Sequence, residues 1–192
     1  MTKYLIAGLG NPGDEYAHTR HNIGFDVVNA FVQKHAASFR VDRLAFVAEL
    51  KLKGRQCICI CPTTFMNLSG KAVKYWMEKE GILSDRLLVV VDDIALPLNR
   101  LRLRPGGSHA GHNGLKSLEE TLGTRDYARL RFGIGNDYPK GYQSDFVLGK
   151  WRKSEEPLVK RKIGIAVEAI ESFALQGITA AMNQVNNKEV SL

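Results

Sequence analysis

Alternating and continuous runs of apolar residues predict six short strands along the chain. These lie at Tyr4 to Ala7, Ala45 to Leu52, Gln56 to Ile60, Leu87 to Val91, Leu101 to Leu103 and Arg129 to Ile134. Because every residue from Leu87 to Val91 is apolar, we expect that strand to be buried on both faces. The residues Lys53-Gly54-Arg55 separate the second strand from the third and predict a hairpin.

Apolar residues spaced by three and four positions predict helices between these strands. The predicted helices cover residues 22–34, about Leu68 to Glu80, the segment that contains Leu115, Leu118 and Leu122, and about Glu155 to Gln176. Gly81 is placed to cap the C-terminus of the second helix. The buried stripe of the last helix is predicted to consist of Val159, Ile163, Ala166, Ile170 and Phe173. We expect Lys160-Arg161-Lys162 to form a solvated face of the same helix.

The order of these elements indicates the fold class. Strands that alternate with helices are typical of a layered α/β domain, and the hairpin makes part of the sheet antiparallel. We therefore predict a mixed twisted β-sheet flanked by helices on both faces. A length of 192 residues fits a single domain over 1–192.

The chain carries an excess of positive charge, because 27 Lys and Arg oppose 20 Asp and Glu and leave a net charge of +7. This excess favours a polyanionic partner, nucleic acid before a membrane. No apolar run approaches the roughly 20 residues that a membrane-spanning helix needs. The apolar stretch after Met1 is too short for a signal peptide and has no cleavage pattern, so we expect a cytoplasmic protein.

All three cysteines, Cys57, Cys59 and Cys61, lie in one predicted strand and alternate with isoleucine. A period of two directs their side chains to one face of the sheet. Metal sites usually space their ligands two to four residues apart and need a fourth ligand, and an odd count argues against a disulfide framework. We therefore expect buried, reduced thiols, and a metal site is the less favoured alternative.

The pattern Gly8-x-Gly10-x-x-Gly13 follows a strand and formally matches a dinucleotide-binding fingerprint. We reject that interpretation, because Pro12-Gly13 occupies the place where the helix should begin and no acidic residue stands at the required distance. Asn11-Pro12-Gly13 fits a tight turn with Pro second and Gly third. Such a turn holds Asn11 at a strand end, facing any cleft there, and a purely structural turn is an equal alternative.

His21 lies between this turn and the first predicted helix, and Asp92 follows the strand Leu87 to Val91. A histidine at a helix start is often a capping or core residue. Carboxylates at strand ends in open α/β sheets often face a ligand crevice, although others cap loops. Together the two residues form a candidate pair in which the carboxylate orients the imidazole and the imidazole removes a proton from water. No Gly-x-Ser-x-Gly elbow is present, so activated water is favoured over a serine nucleophile.

The loop from Gly106 to Gly114 contains four glycines together with His109, His112 and Asn113. The glycines let backbone amides approach a ligand and let the loop move. His109 and His112 could suggest a metal, but no third ligand of the zinc-protease type is nearby. Asn113 and Asn67 could orient a substrate carbonyl or stabilise an oxyanion. Alternatively, Asn67 caps the second helix.

Two groups of arginines alternate along predicted strands, Arg100, Arg102 and Arg104 on one and Arg129 and Arg131 on another. Within each group the side chains share a face, which concentrates positive charge and suits bidentate contacts with phosphate. A solvated sheet edge defended by charge is an equal alternative.

Seven segments, taken in order, make the chain resemble a bacterial-type peptidyl-tRNA hydrolase. They are Gly8-Leu-Gly-Asn-Pro-Gly-Asp-Glu-Tyr16, Thr19-Arg-His-Asn-Ile-Gly24, Pro62-Thr-Thr-Phe-Met-Asn-Leu-Ser-Gly-Lys71, Val91-Asp-Asp-Ile-Ala-Leu-Pro97, Gly111-His-Asn-Gly-Leu-Lys116, Arg129-Leu-Arg-Phe-Gly-Ile-Gly135 and Phe146-Val-Leu-Gly-Lys150. The resemblance runs from Leu5 to about Asn183, and seven segments in the right order and spacing are highly specific.

The resemblance implies hydrolysis of the ester between a peptide's C-terminal carboxyl and the 3′ ribose of tRNA, which recycles tRNA from stalled or aborted translation. It implies that His21 is the general base, that Asp92 orients it, and that Asn11 and Asn113 assist catalysis. The substrate contacts that it implies are Tyr16, Met66, Asn67, His112 and Asn113 in the cleft, and Arg104 and Arg131 at a tRNA phosphate. It implies no metal, no organic cofactor, and a monomer in the cytoplasm.

The chain departs from the usual family pattern in a few places. Ile94 and Ala95 stand where Leu and Asp are frequent, and Ser108 and Ala110 stand where glycine is frequent. The change at Ala95 removes an acid beside the cleft, and the changes in the loop are expected to stiffen it slightly. The family often has lysine at the position of Arg104.

Two other classes of function stay open. A non-catalytic RNA-binding protein on the same fold, such as the splicing-factor relatives in plastids, would bind RNA without cleaving the ester. We rank it lower, because all the implied catalytic residues are present and we expect no plastid transit segment before Met1. A metal-dependent hydrolase that uses His109 and His112 would be sensitive to chelators.

Overall fold

The computed structural model describes all residues of the chain, 1–192, and contains one seven-stranded sheet. Its strands are β1 (Thr2–Gly8), β2 (Arg40–Asp42), β3 (Ala45–Leu52), β4 (Arg55–Pro62), β5 (Leu87–Asp93), β6 (Leu101–Arg104) and β7 (Ala128–Gly133). They are arranged in the order β2-β3-β4-β1-β5-β7-β6. The central pairs β4–β1, β1–β5 and β5–β7 are parallel, whereas β2–β3, β3–β4 and β6–β7 at the two edges are antiparallel.

Six helices cover the two faces of this sheet. They are α1 (Ile23–Lys34), α2 (Ser69–Glu80), α3 (Asn113–Leu122), α4 (Gln143–Val147), α5 (Glu156–Gln176) and α6 (Ile178–Val185). The larger core lies between the sheet and α1, α5 and α6, and the smaller core lies between the sheet and α2 and α3. The predicted fold class, a mixed sheet flanked by helices on both faces, is therefore confirmed.

The apolar strand β5 and the three cysteines of β4 are buried as predicted. Every residue from Leu87 to Asp92 is buried, as expected for a strand covered on both faces. Cys57, Cys59 and Cys61 are buried, unpaired and on the same face of β4, within the larger core. Burial raises the pKa of all three thiols, to about 12 for Cys57. The prediction of reduced core thiols is confirmed.

Two charged side chains were wrongly expected at the surface. Lys162 is fully buried, and its ammonium donates to the backbone oxygen of Gly133 at 2.7 Å and lies 3.9 Å from the ring centre of Phe132. Burial lowers the pKa of Lys162 to about 7. Arg129 is also fully buried and donates to the backbone oxygen of Arg125, so it does not contribute to an exposed row of arginines.

Three elements were not predicted, and all of them are short. They are β2 with three residues, α4 with five and α6 with eight. The glycine Gly177, with a φ of 93°, separates α6 from α5. Segments this short show too few turns or alternations for a period to emerge from the sequence.

Strand β6 is the last strand at one edge of the sheet, and the segment after α6 covers this edge. The Asn186 side chain accepts the backbone N–H of Leu103 at 2.8 Å and donates to its backbone oxygen at 2.9 Å. The amide therefore takes the place of a neighbouring strand at this residue.

None of the helices combines the length and the apolar composition that a membrane-spanning segment requires.

Two glycines bring the start of α1 against the ends of the central strands. A β-carbon at Gly8 would clash with the backbone oxygen of Gly24, and a β-carbon at Gly24 would clash with the backbone oxygen of Val90. Only glycine permits this approach of helix to sheet. It brings the turn that precedes α1 directly over the C-terminal end of β5, where Asp92 lies.

Candidate active site

A cleft of about 960 Å³ opens at the C-terminal ends of the parallel strands. This is the end of an open α/β sheet where ligands usually bind. Nine residues selected from the sequence line the cleft: Asn11, His21, Met66, Asn67, Asp92, His109, His112, Asn113 and Arg131. The volume lies at the upper end of the range for small-molecule sites, so the cleft has room for more than one chemical group of a substrate.

The centre of the cleft is a hydrogen-bonded pair formed by His21 and Asp92. His21 belongs to a 3-10 turn, Arg20–Asn22, and its Nδ1 lies 3.0 and 2.9 Å from the two oxygens of Asp92. Asp92 is 3% exposed, whereas the His21 side chain is 13% exposed. Because the carboxylate accepts a hydrogen from Nδ1, the neutral imidazole carries its lone pair on Nε2.

A second imidazole binds the same carboxylate. His112 Nε2 lies 2.8 Å from Asp92 Oδ1, and its Nδ1 accepts the backbone N–H groups of Gly114 and Leu115. His112 is thus the N-cap of α3 as well as a partner of Asp92. Since backbone amides can only donate, Nδ1 must be the acceptor, and the proton of the neutral ring is on Nε2.

The two imidazoles keep Asp92 ionised. Burial would raise the pKa of Asp92, but the charges and hydrogen bonds of His112 and His21 outweigh it and lower this pKa to about 2. The carboxylate is therefore negative at neutral pH. This negative charge favours the tautomer of His21 that carries its hydrogen on Nδ1, the nitrogen that faces Asp92.

The same three residues form a group that could hold a metal ion, since their ligand atoms lie within 4.8 Å of one another. The group does not include His109, whose Nδ1 accepts the backbone N–H of Gly111. A metal would need the lone pair of His112 Nε2, but that nitrogen carries hydrogen as long as Nδ1 caps α3. The donor set therefore fits hydrogen bonding to Asp92 better than it fits a metal.

The Asn11 side chain is fixed at the edge of the cleft. Its oxygen accepts the backbone N–H of Met66 at 2.7 Å, and its backbone N–H and oxygen both pair with the side chain of Asn22. This leaves the Asn11 amide nitrogen free to donate. The dinucleotide interpretation was correctly rejected, because the first α-helix after the glycines begins only at Ile23, after two single 3-10 turns.

Asn67 and Asn113 also lie at the cleft, and both are exposed. Asn67 makes no capping bond with α2, whose N-cap is Leu68 without a side-chain hydrogen bond. The alternative in which Asn67 is a helix cap is therefore wrong. Asn113 is the first residue of α3.

The arginines lie beside the cleft in two facing pairs. Across β6 and β7, Arg102 is opposite Arg131 and Arg104 is opposite Arg129. Arg131 lines the cleft, donates to the backbone oxygen of Ser108 at 2.7 Å, and lies 3.9 Å from Asp93. Arg104 is half-buried, lies outside the cleft lining and is diagonal to Arg131. The facing pair of Arg102 and Arg131 is an arrangement of two cations that a bound anion would stabilise, whereas the partner of Arg104, Arg129, is fully buried.

Tyr16 is near the cleft but not part of its lining. Its ring contacts Phe65 edge-on, with ring centres 6.4 Å apart, and Phe65 lines the cleft. Tyr16 therefore supports a lining residue in the free protein.

The glycine loop is held by its own side chains. Ser108 Oγ accepts the backbone N–H of Ala110 at 3.1 Å, in the same manner in which His109 accepts that of Gly111. Ala110 has a φ of 50°, a left-handed conformation that costs energy for a residue with a β-carbon. The two departures from the family pattern thus add one tether and one strained residue to the loop.

One wall of the cleft was not predicted from single residues. Gln143, Ser144, Val147 and Leu148 line the side formed by α4 and the residue that follows it. The only signal for this wall was the segment Phe146-Val-Leu-Gly-Lys150, which carried part of the resemblance. Short helices that derive their position from neighbouring elements leave little periodic trace.

Comparisons with known proteins identify the family of the chain. A sequence profile of the family described as Peptidyl-tRNA hydrolase matches residues 5–192. The peptidyl-tRNA hydrolase of Phocaeicola vulgatus is 54% identical over 186 residues, which cover 97% of this chain and 100% of that protein. The one of Porphyromonas gingivalis is 50% identical over 184 residues, covering 96% and 100%. The crystal structure of peptidyl-tRNA hydrolase from Acinetobacter baumannii is similar with a TM-score of 0.91 and 33% identity, covering 97% and 95%.

Proposed function

Because the chain belongs to the peptidyl-tRNA hydrolase family of enzymes, we propose that His21 is the base with which it hydrolyses peptidyl-tRNA. The observation that carries the proposal is the pair of contacts between His21 Nδ1 and Asp92, at 3.0 and 2.9 Å, at the centre of the cleft. Nε2 of the neutral ring removes a proton from water, and that water attacks the ester carbonyl. General base catalysis of this kind contributes roughly 100- to 10,000-fold in rate.

Residues of the cleft stabilise both charges that develop in this reaction, the positive charge on His21 and the negative charge on the oxyanion. Asp92 stabilises the imidazolium that forms at His21, and His112 supports the carboxylate from the other side. The free amide nitrogen of Asn11 and the amide of Asn113 donate to the oxyanion of the tetrahedral intermediate. Its collapse expels the 3′ oxygen of the ribose, and the imidazolium returns the proton to that leaving group.

The remaining residues of the site bind the substrate in this proposal. Met66, Asn67 and His112 contact the peptide and the 3′ end, and Tyr16 contributes through Phe65. Arg104 and Arg131 bind a phosphate of the tRNA, which the positive charge of Arg102, Arg104 and Arg131 on β6 and β7 favours. The enzyme acts as a monomer, needs no metal or organic cofactor, and returns free tRNA from stalled translation in the cytoplasm.

The test is release of an N-blocked aminoacyl group from tRNA by the wild-type protein and by His21→Ala, with and without EDTA. His35→Ala is the matched control, because His35 also forms a hydrogen bond with a carboxylate but lies at the end of α1, bonded to Glu171. We expect wild-type and His35→Ala to cleave the blocked substrate with or without EDTA, and His21→Ala to lose at least about 100-fold. Unblocked aminoacyl-tRNA should be cleaved poorly by all three.

Other outcomes of the same assay would support other functions. Tight binding of tRNA without cleavage would favour a non-catalytic RNA-binding protein. Cleavage that EDTA abolishes would favour the metal group of His21, Asp92 and His112. Normal turnover by His21→Ala would show that another group is the base.

A further inference from the structure

Arg20, the residue before His21, has a buried guanidinium that joins three parts of the fold. The residue is 4% exposed. Its Nη1 donates to the backbone oxygen of Phe146 and its Nη2 donates to Glu155 Oε1, each at 3.1 Å. The guanidinium carbon lies 4.2 Å from the ring centre of Phe146 and 5.5 Å from that of Trp151. The side chain therefore binds the end of α4, the following loop and the residue just before α5.

The backbone of Arg20 binds the same segment. Its N–H donates to the backbone oxygen of Gly149 at 3.0 Å, and the preceding Thr19 forms an isolated antiparallel bridge with Lys150. A β-carbon at Gly149 would lie 3.0 Å from Arg20 Nη1, so the segment passes close against the guanidinium. Backbone and side chain together hold residues 146–150 against the turn that carries His21.

The segment that Arg20 holds is a wall of the cleft. Ser144 and Val147 on α4 and Leu148 directly after it line the cleft. A helix of five residues is too short to be stable by itself, so its place depends on contacts from outside. Arg20 supplies two hydrogen bonds and an aromatic contact to this region, and it is covalently adjacent to His21. A single residue, Arg20, therefore fixes the distance between the α4 wall and His21.

We propose that Arg20 is a positioning residue that fixes the α4 wall relative to His21, an inference that rests on the proposed function. Arg20 does not contact the substrate in this role. Its guanidinium reaches two acceptors and an aromatic face at once, which the single ammonium of lysine does not do. Glu155 holds the guanidinium of Arg20 in place, because its Oε1 accepts hydrogen bonds from Arg20 and from the backbone N–H of Arg152.

Arg20→Lys tests this role while keeping a positive charge opposite Glu155. A displacement of about 1 Å between substrate and catalytic group can cost roughly 100-fold in rate. We expect kcat/KM for N-blocked aminoacyl-tRNA to fall by about that factor, with a higher KM because the wall no longer holds the substrate. Hydrogen exchange should become faster at the amides of Phe146, Leu148 and Gly149, which are bonded within this segment.

Two further variants keep the test decisive. Glu155→Gln removes the charge that binds Arg20 but leaves residues 19–21 intact, so we expect a higher KM and a smaller fall in kcat than in Arg20→Lys. Glu171→Gln is the matched control, because Glu171 lies on α5 and binds two side chains of α1 and its C-terminus, Lys34 and His35, outside the cleft lining. Its loss should leave kcat, KM and exchange of residues 143–150 at their wild-type values.

The role of Arg20 is overturned if Arg20→Lys or Glu155→Gln is folded and shows the kinetics and exchange of wild-type protein. It is also overturned if Glu171→Gln raises KM as much as they do, since the effect would then be a general loss of stability. Failure of the wild-type protein to cleave the substrate would instead overturn the proposed function. In that case faster exchange confined to residues 143–150 would still support the anchoring, and unchanged exchange would overturn it as well.

Discussion

The backbone N–H of Met66 donates to the side-chain oxygen of Asn11 at 2.7 Å, and this bond determines which end of the Asn11 amide faces the cleft. Amide oxygen and nitrogen are hard to distinguish by shape alone, but a backbone N–H can only donate. The oxygen is therefore directed to Met66 and the nitrogen is left as a donor. A tight turn at the end of β1 thus supplies an oriented hydrogen-bond donor beside His21.

Asn11→Asp should separate the two functions of this side chain. The carboxylate still accepts the N–H of Met66, but it replaces the free donor by a negative oxygen. We expect a loss of roughly 100- to 1000-fold in kcat, the usual cost of one oxyanion donor, with little change in thermal stability. Asn11→Ala should lose similar activity and also stability, because the N–H of Met66 loses its partner. Equal kcat for wild-type and Asn11→Asp, measured on N-blocked aminoacyl-tRNA, would falsify the donor role.

His112 is predicted to have two separable roles, one in stability and one in turnover. His112→Ala removes the N-cap of α3 and the hydrogen bond to Asp92, so it should lower the free energy of unfolding by about 1 kcal/mol as well as slow the reaction. Asparagine is a good N-cap, so His112→Asn should restore stability without restoring the bond to Asp92. A hydrogen bond to a charged group contributes about 1.5–3 kcal/mol, so both variants should lose roughly ten- to a hundredfold in turnover.

Urea unfolding and single-turnover cleavage of the same two variants measure these roles separately. If His112→Asn regained turnover together with stability, the contact between His112 and Asp92 would have no catalytic role. A substrate-binding role alone would instead raise KM and leave the rate at saturation unchanged.

The sequence was sufficient to predict elements whose side chains obey a single rule. The three cysteines follow the period of a strand, Leu87 to Val91 is a continuous apolar run, and Gly81, with a φ of 65°, ends α2 as a left-handed cap. Asp92 was selected because carboxylates at the strand ends of an α/β sheet often face a ligand crevice, and His21 because it lies between the turn after β1 and the first helix. Their contact then followed from the close approach of Gly8 and Gly24, which a sequence shows only as two glycines.

What escaped prediction depends on contacts between distant segments or on a charged residue in an apolar place. Lys162 lies three residues after Val159 and four before Ala166, so it belongs to the buried stripe by spacing, but its charge suggested solvent. Ile163, which was assigned to the stripe, is only half-buried. The bonds of Arg20 with Phe146 and Glu155 join residues more than 120 positions apart, and no local pattern announces them.

Lys162 should make stability depend on pH above neutrality. Its pKa is about 7 in the folded protein and near 10.4 in an unfolded chain, so between these values only the unfolded state holds the proton. The free energy of unfolding therefore rises with pH in this window, by at most about 1.4 kcal/mol per unit, and is lowest where Lys162 is charged in both states. Lys162→Met should remove this contribution.

The measurement is urea unfolding of wild-type and Lys162→Met between pH 6.5 and 8.5. The buried cysteines oppose the effect above about pH 8.5, because their raised pKa makes the folded state hold protons that the unfolded state releases. Both proteins carry the cysteines, so the difference between their free energies isolates Lys162. Parallel curves for the two proteins would mean that Lys162 does not titrate in this range.

Arg104 should report the electrostatic part of tRNA binding. Its side chain has no hydrogen bond or salt bridge within the protein, unlike that of Arg131, which also holds the loop through Ser108. Each phosphate that a cation neutralises contributes about 0.9 to the slope of the logarithm of the affinity against the logarithm of salt concentration. Arg104→Ala should therefore reduce the magnitude of that slope by about 1 and weaken binding most at low salt.

Arg161→Ala is the matched control for this measurement, because Arg161 is exposed on α5, on the face of the sheet opposite to α2 and α3. It removes the same net charge as Arg104→Ala. If the affinity depended only on the net charge of +7, both variants would weaken binding equally. A smaller slope in Arg104→Ala alone would locate a phosphate at the β6–β7 pair. Equal slopes in wild-type and Arg104→Ala would instead favour the alternative in which these arginines only protect a sheet edge.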